Sequence, residues 1–340
     1  MGMRVVLAGC GSISEAWLKP AQIMPEIEMV GFVDLRPEAA ERRAREYGTA
    51  DAITGTDLDG VLAQTRPDVV FDCTNPDAHY GVVLTALQHG CHVLGEKPLA
   101  TSMQQAREMI AAAQQAGKVY AIVQNRRYDS NIRRLKALLD SGALGSVTTI
   151  NSDFYVGAHF RDFRDYMPHI LLLDMAIHTF DAARYLAGAD PVSVFCKEWN
   201  PPGSWYDRDA SAVAIFDFSN GVVYTYRGSW TSEGLRTTWE SDWRVIGQQG
   251  SIVWDGAEGF RGEIATDEGG FFSSMREVLP PQVAAGARVG GHAGVIADFI
   301  DCLRTGRTPE TIASDNIKSL AMVFAAIQSA ETGCVVPVEW

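Results

Sequence analysis

A glycine-rich turn between an apolar run and a helical segment is the feature that most constrains this chain. Residues 9–14 read Gly-Cys-Gly-Ser-Ile-Ser and directly follow the apolar run at 5–8. Glycines at such a turn let backbone N–H groups approach a pyrophosphate closely. Asp34 closes a second apolar run at 29–33, a position from which a carboxylate faces an adenosine ribose. The pattern predicts a dinucleotide site, and we expect its turn contacts to come from Gly9, Gly11, Ser12 and Ile13.

The distribution of apolar runs predicts an α/β chain with two domains of different architecture. Between residues 3 and 125, runs that suit buried parallel strands alternate with amphipathic helical segments. This alternation predicts a doubly wound parallel sheet, and we assign residues 1–125 to a Rossmann dinucleotide-binding domain. Later runs alternate polar and apolar residues between short turns, which is typical of antiparallel hairpins. We expect residues 126–340 to form an α+β domain with a large, mostly antiparallel open sheet and a glycine-rich loop at 286–291.

Composition and charge argue against several other classes of protein. The formal net charge is −13 and no long basic run occurs, so a nucleic acid would be repelled. No segment approaches the ~20 consecutive apolar residues that a membrane-spanning helix needs. The six cysteines lack the spacing of zinc ligands, and we expect no metal site. The opening residues show no cationic leader, which predicts a cytoplasmic protein.

Polar residues follow two of the apolar runs, at the strand ends where open α/β sheets bind their ligands. The run at 69–73 leads into Thr74, Asn75 and His79. The run at 92–94 leads into Glu96 and Lys97, followed by a proline. Lys97 has two interpretations from the residues alone. It is either a solvated lysine in a surface turn or a fixed positive charge that stabilises a substrate alkoxide beside a cofactor.

A second polar set lies within the apolar segment at 170–187, which has helical spacing. Asp174, His178 and Asp181 fall at positions i, i+4 and i+7 and share one stripe of such a helix. One interpretation is an exposed polar face with a weak Asp–His pair. The other is an acid–base pair, in which the histidine exchanges the proton of an alcohol and Asp174 orients the ring or binds substrate.

In combination, these motifs resemble those of the glucose-fructose oxidoreductase, inositol dehydrogenase and rhizopine-catabolism (Gfo/Idh/MocA) oxidoreductases. The matching elements span nearly the whole chain: the turn at 9–14, Asp34, the residues from Thr74 to His79, Glu96-Lys97-Pro98, Asp174-x-x-x-His178-x-x-Asp181 and the segment at 328–333. Ala176 is a departure, because the family commonly has glycine there.

The resemblance implies a catalytic set formed by Lys97, Asp174 and His178. Lys97 would bind and polarise the reacting hydroxyl, and His178 would exchange its proton. Asp174 would position His178 or the substrate. Glu96 and His79 would line the nicotinamide side of the cofactor site, to which we also assign Thr74, Asn75 and Lys97. The family's open C-terminal sheet further implies a homodimer or homotetramer.

Cofactor choice and substrate class follow from charge and hydrogen-bonding capacity. Asp34 should repel the 2′-phosphate of NADP, whereas Arg36 could attract it, and we favour NAD with NADP as the alternative. Side chains rich in donors and aromatic rings suit a substrate with many hydroxyls. Besides the catalytic set, we assign substrate binding to Arg127, Tyr155, His159 and Arg164.

The sequence therefore predicts an NAD(P)-dependent oxidoreductase that interconverts a secondary alcohol and a ketone on a sugar, glycoside or cyclitol. Two alternatives stay open. The first is a glycoside hydrolase that uses tightly held NAD for transient oxidation and elimination. The second is a non-catalytic NAD-binding sensor.

Overall fold

In the computed structural model, which describes residues 2–267, 270–284 and 288–340, a six-stranded parallel sheet has the order β3-β2-β1-β4-β5-β6. Its strands are β1 (Met3–Ala8), β2 (Ile27–Val33), β3 (Ile53–Gly55), β4 (Val69–Asp72), β5 (His92–Gly95) and β6 (Tyr120–Ile122). The connecting helices are α1 (Ser14–Gln22), α2 (Pro37–Tyr47), α3 (Leu58–Thr65), α4 (Pro76–Gln88) and α5 (Met103–Gln115). This strand order confirms the predicted Rossmann sheet.

The two central strands of this sheet explain why its sequence signal is strong. Val5, Val6 and Leu7 of β1 are fully buried. The same is true of the apolar residues of β4, which are Val69, Val70 and Phe71. A parallel strand that is covered on both faces consists of a nearly continuous apolar run. The strand order reverses between β1 and β4, and ligands bind at the carboxyl edge of this switch point.

The chain divides into two units, and the first is discontinuous in sequence. It contains Met1–Tyr128, Arg288–Leu320 and Trp340, whereas the second contains Asp129–Ala287 and Ala321–Glu339. Residues 288–320, which we assigned to the 126–340 domain, thus belong to the first unit. The physical reason is α8 (His292–Thr305), whose Ile296 and Phe299 share one core with Trp17 of α1.

The second unit is built on a nine-stranded mixed sheet of the order β14-β13-β12-β11-β7-β10-β9-β8-β15. Its strands are β7 (Val147–Tyr155), β8 (Pro191–Trp199), β9 (Ser211–Phe218), β10 (Val223–Ser229), β11 (Asp242–Gly247), β12 (Gly250–Trp254), β13 (Phe260–Ala265), β14 (Met275–Glu277) and β15 (Val336–Pro337). Within this sheet, as far as the described residues show, only the β7–β10 pair is parallel, so the prediction of a mostly antiparallel sheet is confirmed.

Helical segments accompany this sheet. They are α6 (Ser130–Asp140), a 3-10 turn (Phe163–Tyr166), a π-helical stretch (Leu171–Ala176), α7 (Ile177–Ala187) and α9 (Ala313–Thr332), which begins in the first unit and ends in the second. The segment predicted as one helix at 170–187 is therefore a π-helical turn followed by an α-helix. The glycine-rich loop predicted at 286–291 lies partly outside the described residues.

Two searches of the described part of the chain bear on membranes and metals. None of its helices combines the length and apolar character that crossing a bilayer requires. Within the same residues, no three His, Cys, Asp or Glu side chains are grouped so that they could hold a metal ion.

Candidate functional site

The glycine-rich turn at the end of β1 has the geometry of a phosphate cradle. Gly9 has a φ of +86°, and a Cβ there would lie 2.5 Å from the carbonyl oxygen of Cys73, so only glycine fits. A Cβ on Gly11 would meet nothing within 4 Å, which shows that open space faces this backbone. Ser12 and Ile13 are exposed where α1 begins, and backbone N–H groups at a helix start favour an anion.

Asp34 follows β2 and lies against this turn. Its Oδ2 accepts the backbone N–H of Cys10 at 2.8 Å, and its Oδ1 accepts the backbone N–H of Arg36 at 2.9 Å. The Arg36 Nε is 3.5 Å from the same Oδ1, and its side chain is 64% exposed. A carboxylate and an exposed guanidinium thus lie side by side at the strand end predicted to face a ribose.

Around the end of β4, two residues are accessible and two others are buried beneath them. Thr74 is half-buried and Asn75 exposed, so both are accessible at the sheet edge. His79 is 1% exposed, and its Nδ1 is 2.8 Å from Oδ2 of the fully buried Asp72. Asp72 Oδ1 also accepts the Thr74 hydroxyl at 2.6 Å. Burial alone would lower the pKa of His79, but the adjacent Asp72 carboxylate, together with Glu96 and Asp77, raises that pKa above its ordinary value.

Glu96 and Lys97 follow β5, the next strand of the sheet. Lys97 is half-buried, and its peptide bond to Pro98 is cis. Glu96 is buried, with Oε1 2.7 Å from Trp17 Nε1 and 3.4 Å from His292 Nε2. Burial would raise the pKa of Glu96, but His292, Trp17 and Lys97 together hold it below its ordinary value.

In the second unit, Asp174 lies in the π-helical stretch and His178 in the first turn of α7, both half-buried. The Arg164 Nε donates to Asp174 Oδ2 at 3.2 Å, and its Nη1 donates to Asp162 at 2.9 Å. The guanidinium carbon lies 5.0 Å from the ring centre of Phe160. The structure therefore brings two of the predicted site residues, Arg164 and Asp174, into contact.

Asp181 differs from the sequence expectation. It is 1% exposed and lies 3.8 Å from Arg184, itself buried, so it does not extend the polar stripe as an accessible group. The π-helical stretch that precedes α7 has five-residue rather than four-residue hydrogen-bond spacing, which a simple i, i+4, i+7 pattern does not anticipate.

The other residues predicted to bind substrate have diverse surroundings. Arg127 is 5% exposed in the first unit, and its Nη2 lies 3.8 Å from Asp315. In the second unit, Tyr155 ends β7, and His159 stacks on Trp205 with ring centres 3.8 Å apart. His159 Nε2 also contacts Glu233 at 3.0 Å.

Sequence reasoning missed the buried residues that contact His79 and Glu96 at the carboxyl edge of the parallel sheet. Asp72 was detectable as a carboxylate at the end of an apolar strand, because buried carboxylates require partners. His292 and Trp17 carried no such signal, since they reach Glu96 from positions 196 and 79 residues away in the sequence.

Comparison with known proteins gives consistent matches to one family along most of the chain. Residues 3–124 match GFO_IDH_MocA, an oxidoreductase family with an NAD-binding Rossmann fold. Residues 132–253 match the GFO/IDH/MocA C-terminal domain.

Individual proteins resemble the chain over nearly its full length. The D-glucoside 3-dehydrogenase of Escherichia coli is 28% identical, covering 97% of this chain and 96% of that protein. The inositol 2-dehydrogenase of Rhizobium meliloti is 26% identical over 97% of both. A crystal structure of an Agrobacterium radiobacter oxidoreductase in complex with NAD+, L-tartaric acid and magnesium shares the fold, with a TM-score of 0.86, 22% identity and 99% coverage of both chains.

Proposed function

This chain belongs to the GFO/IDH/MocA oxidoreductase family, and on that premise we propose that it is an NAD-dependent dehydrogenase that interconverts a secondary alcohol and a ketone on a sugar, glycoside or cyclitol. The observation that carries the proposal is the position of Lys97. It follows β5 at the same carboxyl edge of the parallel sheet as the glycine turn and Asp34. The two dehydrogenases aligned along the chain act, by their names, on a glucoside and on inositol.

The residues at the sheet edge fit a dinucleotide. Gly9 and Gly11 leave the backbone of the turn open, and the start of α1 favours the negative charge of a pyrophosphate. Asp34 Oδ1 and Oδ2 retain lone pairs beyond those used by Cys10 and Arg36, and these can accept ribose hydroxyls. The nearly buried carboxylate opposes a 2′-phosphate more strongly than the exposed Arg36 attracts one, which favours NAD over NADP.

We assign the chemistry of the alcohol to Lys97, His178 and Asp174. When bound, NAD+ supplies the acceptor for the hydride that leaves the substrate carbon. The Lys97 ammonium stabilises the negative charge that develops on the substrate oxygen as its proton leaves. The His178 imidazole takes that proton, since histidine is the side chain best suited to proton exchange near neutral pH. Asp174, whose carboxylate Arg164 holds in place, binds a neighbouring hydroxyl or orients His178.

The remaining assignments concern specificity and assembly. Tyr155, His159 and Arg164 are proposed to contact substrate hydroxyls, whereas the burial of Arg127 beside Asp315 favours a supporting role for that arginine. We also propose that the protein forms a homodimer or homotetramer through the open sheet of the second unit. Phe195 and Ile215, opposite each other on β8 and β9, are each about 40% exposed on that face.

A substrate panel with single variants tests the proposal. Purified protein is incubated with sugars, glycosides and cyclitols and with NAD+ or NADP+, and reduced cofactor is followed by its absorbance. We expect turnover with at least one polyol, and a loss of about 10²-fold or more in Lys97→Met and in His178→Asn. Lys136→Met and His89→Asn are matched controls, because these half-buried side chains pair with the exposed carboxylates of Asp140 and Asp59.

Three results would contradict the proposal in different ways. Near-normal turnover in Lys97→Met would contradict the proposed mechanism, in which Lys97 stabilises charge on the substrate oxygen. Release of a glycoside's aglycone without accumulation of NADH would indicate a hydrolase. Cofactor binding without turnover on any member of the panel would favour a sensor.

A further inference from the structure

Three groups from distant parts of the sequence surround the Glu96 carboxylate. Its Oε1 accepts the indole N–H of Trp17, from α1, at 2.7 Å. The same oxygen lies 3.4 Å from Nε2 of His292, the first residue of α8. Its Oε2 accepts the backbone N–H of Lys97 at 3.2 Å. Both carboxylate oxygens are therefore engaged by the protein itself.

Glu96 is buried among closely packed side chains. Trp17 is fully buried, with its ring centre 5.2 Å from that of Phe71 in β4 and 6.3 Å from that of His292. A carboxylate in such a place loses hydration, and its remaining hydrogen bonds gain strength in the low dielectric. Rotation of the Glu96 side chain would leave the indole N–H without its acceptor, so the carboxylate is locked in one orientation.

We propose that Glu96 is a positioning residue for Lys97, held in place by Trp17 and His292. This inference rests on the proposed role of Lys97 as the group that polarises the substrate hydroxyl. The bond from Lys97 N–H to Glu96 Oε2 fixes the turn from which the lysine side chain departs. Trp17 and His292 hold the other oxygen, so residues of helices α1 and α8 help to fix the backbone from which the Lys97 side chain departs.

The proposal assigns Glu96 a different task from direct contact with a cofactor. Here the side chain is 8% exposed, and its oxygens face Trp17, His292 and Lys97. Removal of a holding group should loosen Lys97 without removing its charge, and small displacements of a catalytic group are costly to the chemical step.

Three variants test this arrangement in the full-length protein. Glu96→Gln weakens the acceptors, Trp17→Phe removes one N–H while keeping an aromatic ring, and His292→Leu removes the other donor. We expect each to lower kcat by about three- to thirtyfold, with the Kd for NAD+ within about twofold of the wild type. His292→Gln retains an N–H donor and should recover most of the kcat lost in His292→Leu.

Trp254→Phe is the matched control. Its buried indole N–H also donates to an oxygen at 2.6 Å, the backbone carbonyl of Ala257 in the second unit. This variant should keep the kcat of the wild type while losing a comparable amount of thermal stability. Melting temperatures of all variants separate loss of fold from loss of positioning, since kcat is measured at a temperature where each is folded.

The outcomes distinguish this inference from the proposed function. If Lys97→Met retains turnover, the proposed function itself fails. If Lys97→Met is inactive but Glu96→Gln and Trp17→Phe keep the kcat of the wild type, only the positioning role fails. A rise in the Kd for NAD+ with kcat unchanged would assign Glu96 to cofactor binding and overturn the inference. A kcat loss in Trp254→Phe equal to that in Trp17→Phe would also overturn it.

Discussion

The Asp34 carboxylate is bonded to the glycine-rich turn itself, with Oδ2 2.8 Å from the backbone nitrogen of Cys10. This bond ties the end of β2 to the turn after β1. The residue proposed to select the ribose therefore also shapes the proposed phosphate cradle. A substitution at Asp34 should affect cofactor affinity and cofactor preference together.

We expect Asp34→Ala to narrow the preference for NAD over NADP and to weaken the binding of both cofactors. The change removes a negative charge that opposes a 2′-phosphate and leaves the Cys10 N–H without its acceptor. Arg36→Ala is the opposite change. It removes the nearby positive charge and should weaken the binding of NADP more than the binding of NAD. The measurement is kcat/KM for each cofactor with one substrate. An NAD/NADP ratio that stays constant in Asp34→Ala would contradict the assignment.

The contact between Arg164 and Asp174 gives a second prediction. The arginine joins Asp174 to Asp162, so Arg164→Met should release the Asp174 carboxylate from its orientation. We expect the KM for the polyol to rise by about tenfold and the KM for NAD+ to stay constant. Arg304→Met, which breaks an exposed pair with Glu26 in the first unit, is the control. Equal KM values for the polyol in wild type and Arg164→Met would contradict the assignment of Arg164 to substrate binding.

The sequence predicted the strands whose pattern of apolar residues matches their burial in the fold. β1, β2, β4 and β5 are buried on both faces and consist of apolar runs, so periodicity finds them. β3 has three residues at the edge of the sheet and none of them is fully buried, so it leaves no run to detect. Its neighbour α3 is only eight residues long.

Contacts between segments that are distant in the chain could not be predicted from the sequence. The strand-end motifs placed Asp34, Thr74 and Lys97 at one sheet edge, because parallel strands share their carboxyl side. By contrast, α8 belongs to the first unit although about 160 residues of the second unit precede it in the chain. No local pattern reports that His292 meets Glu96, since hydrophobic periodicity identifies a face and not its partner.

The buried pair of His79 and Asp72 predicts a pH-dependent contribution to stability. The pKa of His79 in the folded protein lies above its ordinary value of 6.5, because Asp72, with Glu96 and Asp77, more than offsets the lowering by burial. The folded state thus binds this proton more tightly than the unfolded state. The resulting stabilisation is complete below pH 6.5 and is lost as the pH rises through the folded pKa.

His79→Gln should therefore lose more stability relative to the wild type at low pH than at high pH. The measurement is the midpoint of urea unfolding at about pH 5.5, 7.5 and 9. His92→Gln is a control of opposite sign, because burial and the nearby Lys118 lower the pKa of His92. The stability that His92→Gln loses relative to the wild type should therefore grow as the pH rises. A pH-independent difference for His79→Gln would contradict the charged pair.

The open face of the nine-stranded sheet carries the last prediction. Phe195, Ile215 and Thr225 form a cross-strand row on β8, β9 and β10, and Val223 lies two residues from that row. Phe195, Ile215 and Val223 are 41%, 43% and 37% exposed. Adjacent exposed apolar side chains on a regular sheet suit packing against a second copy of the same face, which is the two-fold arrangement of most dimers.

We expect Ile215→Asp to shift the protein from an oligomer to a monomer. An aspartate at the centre of the row would bury an unpaired charge in the assembled protein, at a cost of several kcal/mol. The molar mass is measured by light scattering after size exclusion. Ile23→Asp is the control, since Ile23 is 81% exposed at the end of α1 in the first unit. An oligomer that persists in Ile215→Asp, or one lost equally in Ile23→Asp, would place the interface elsewhere.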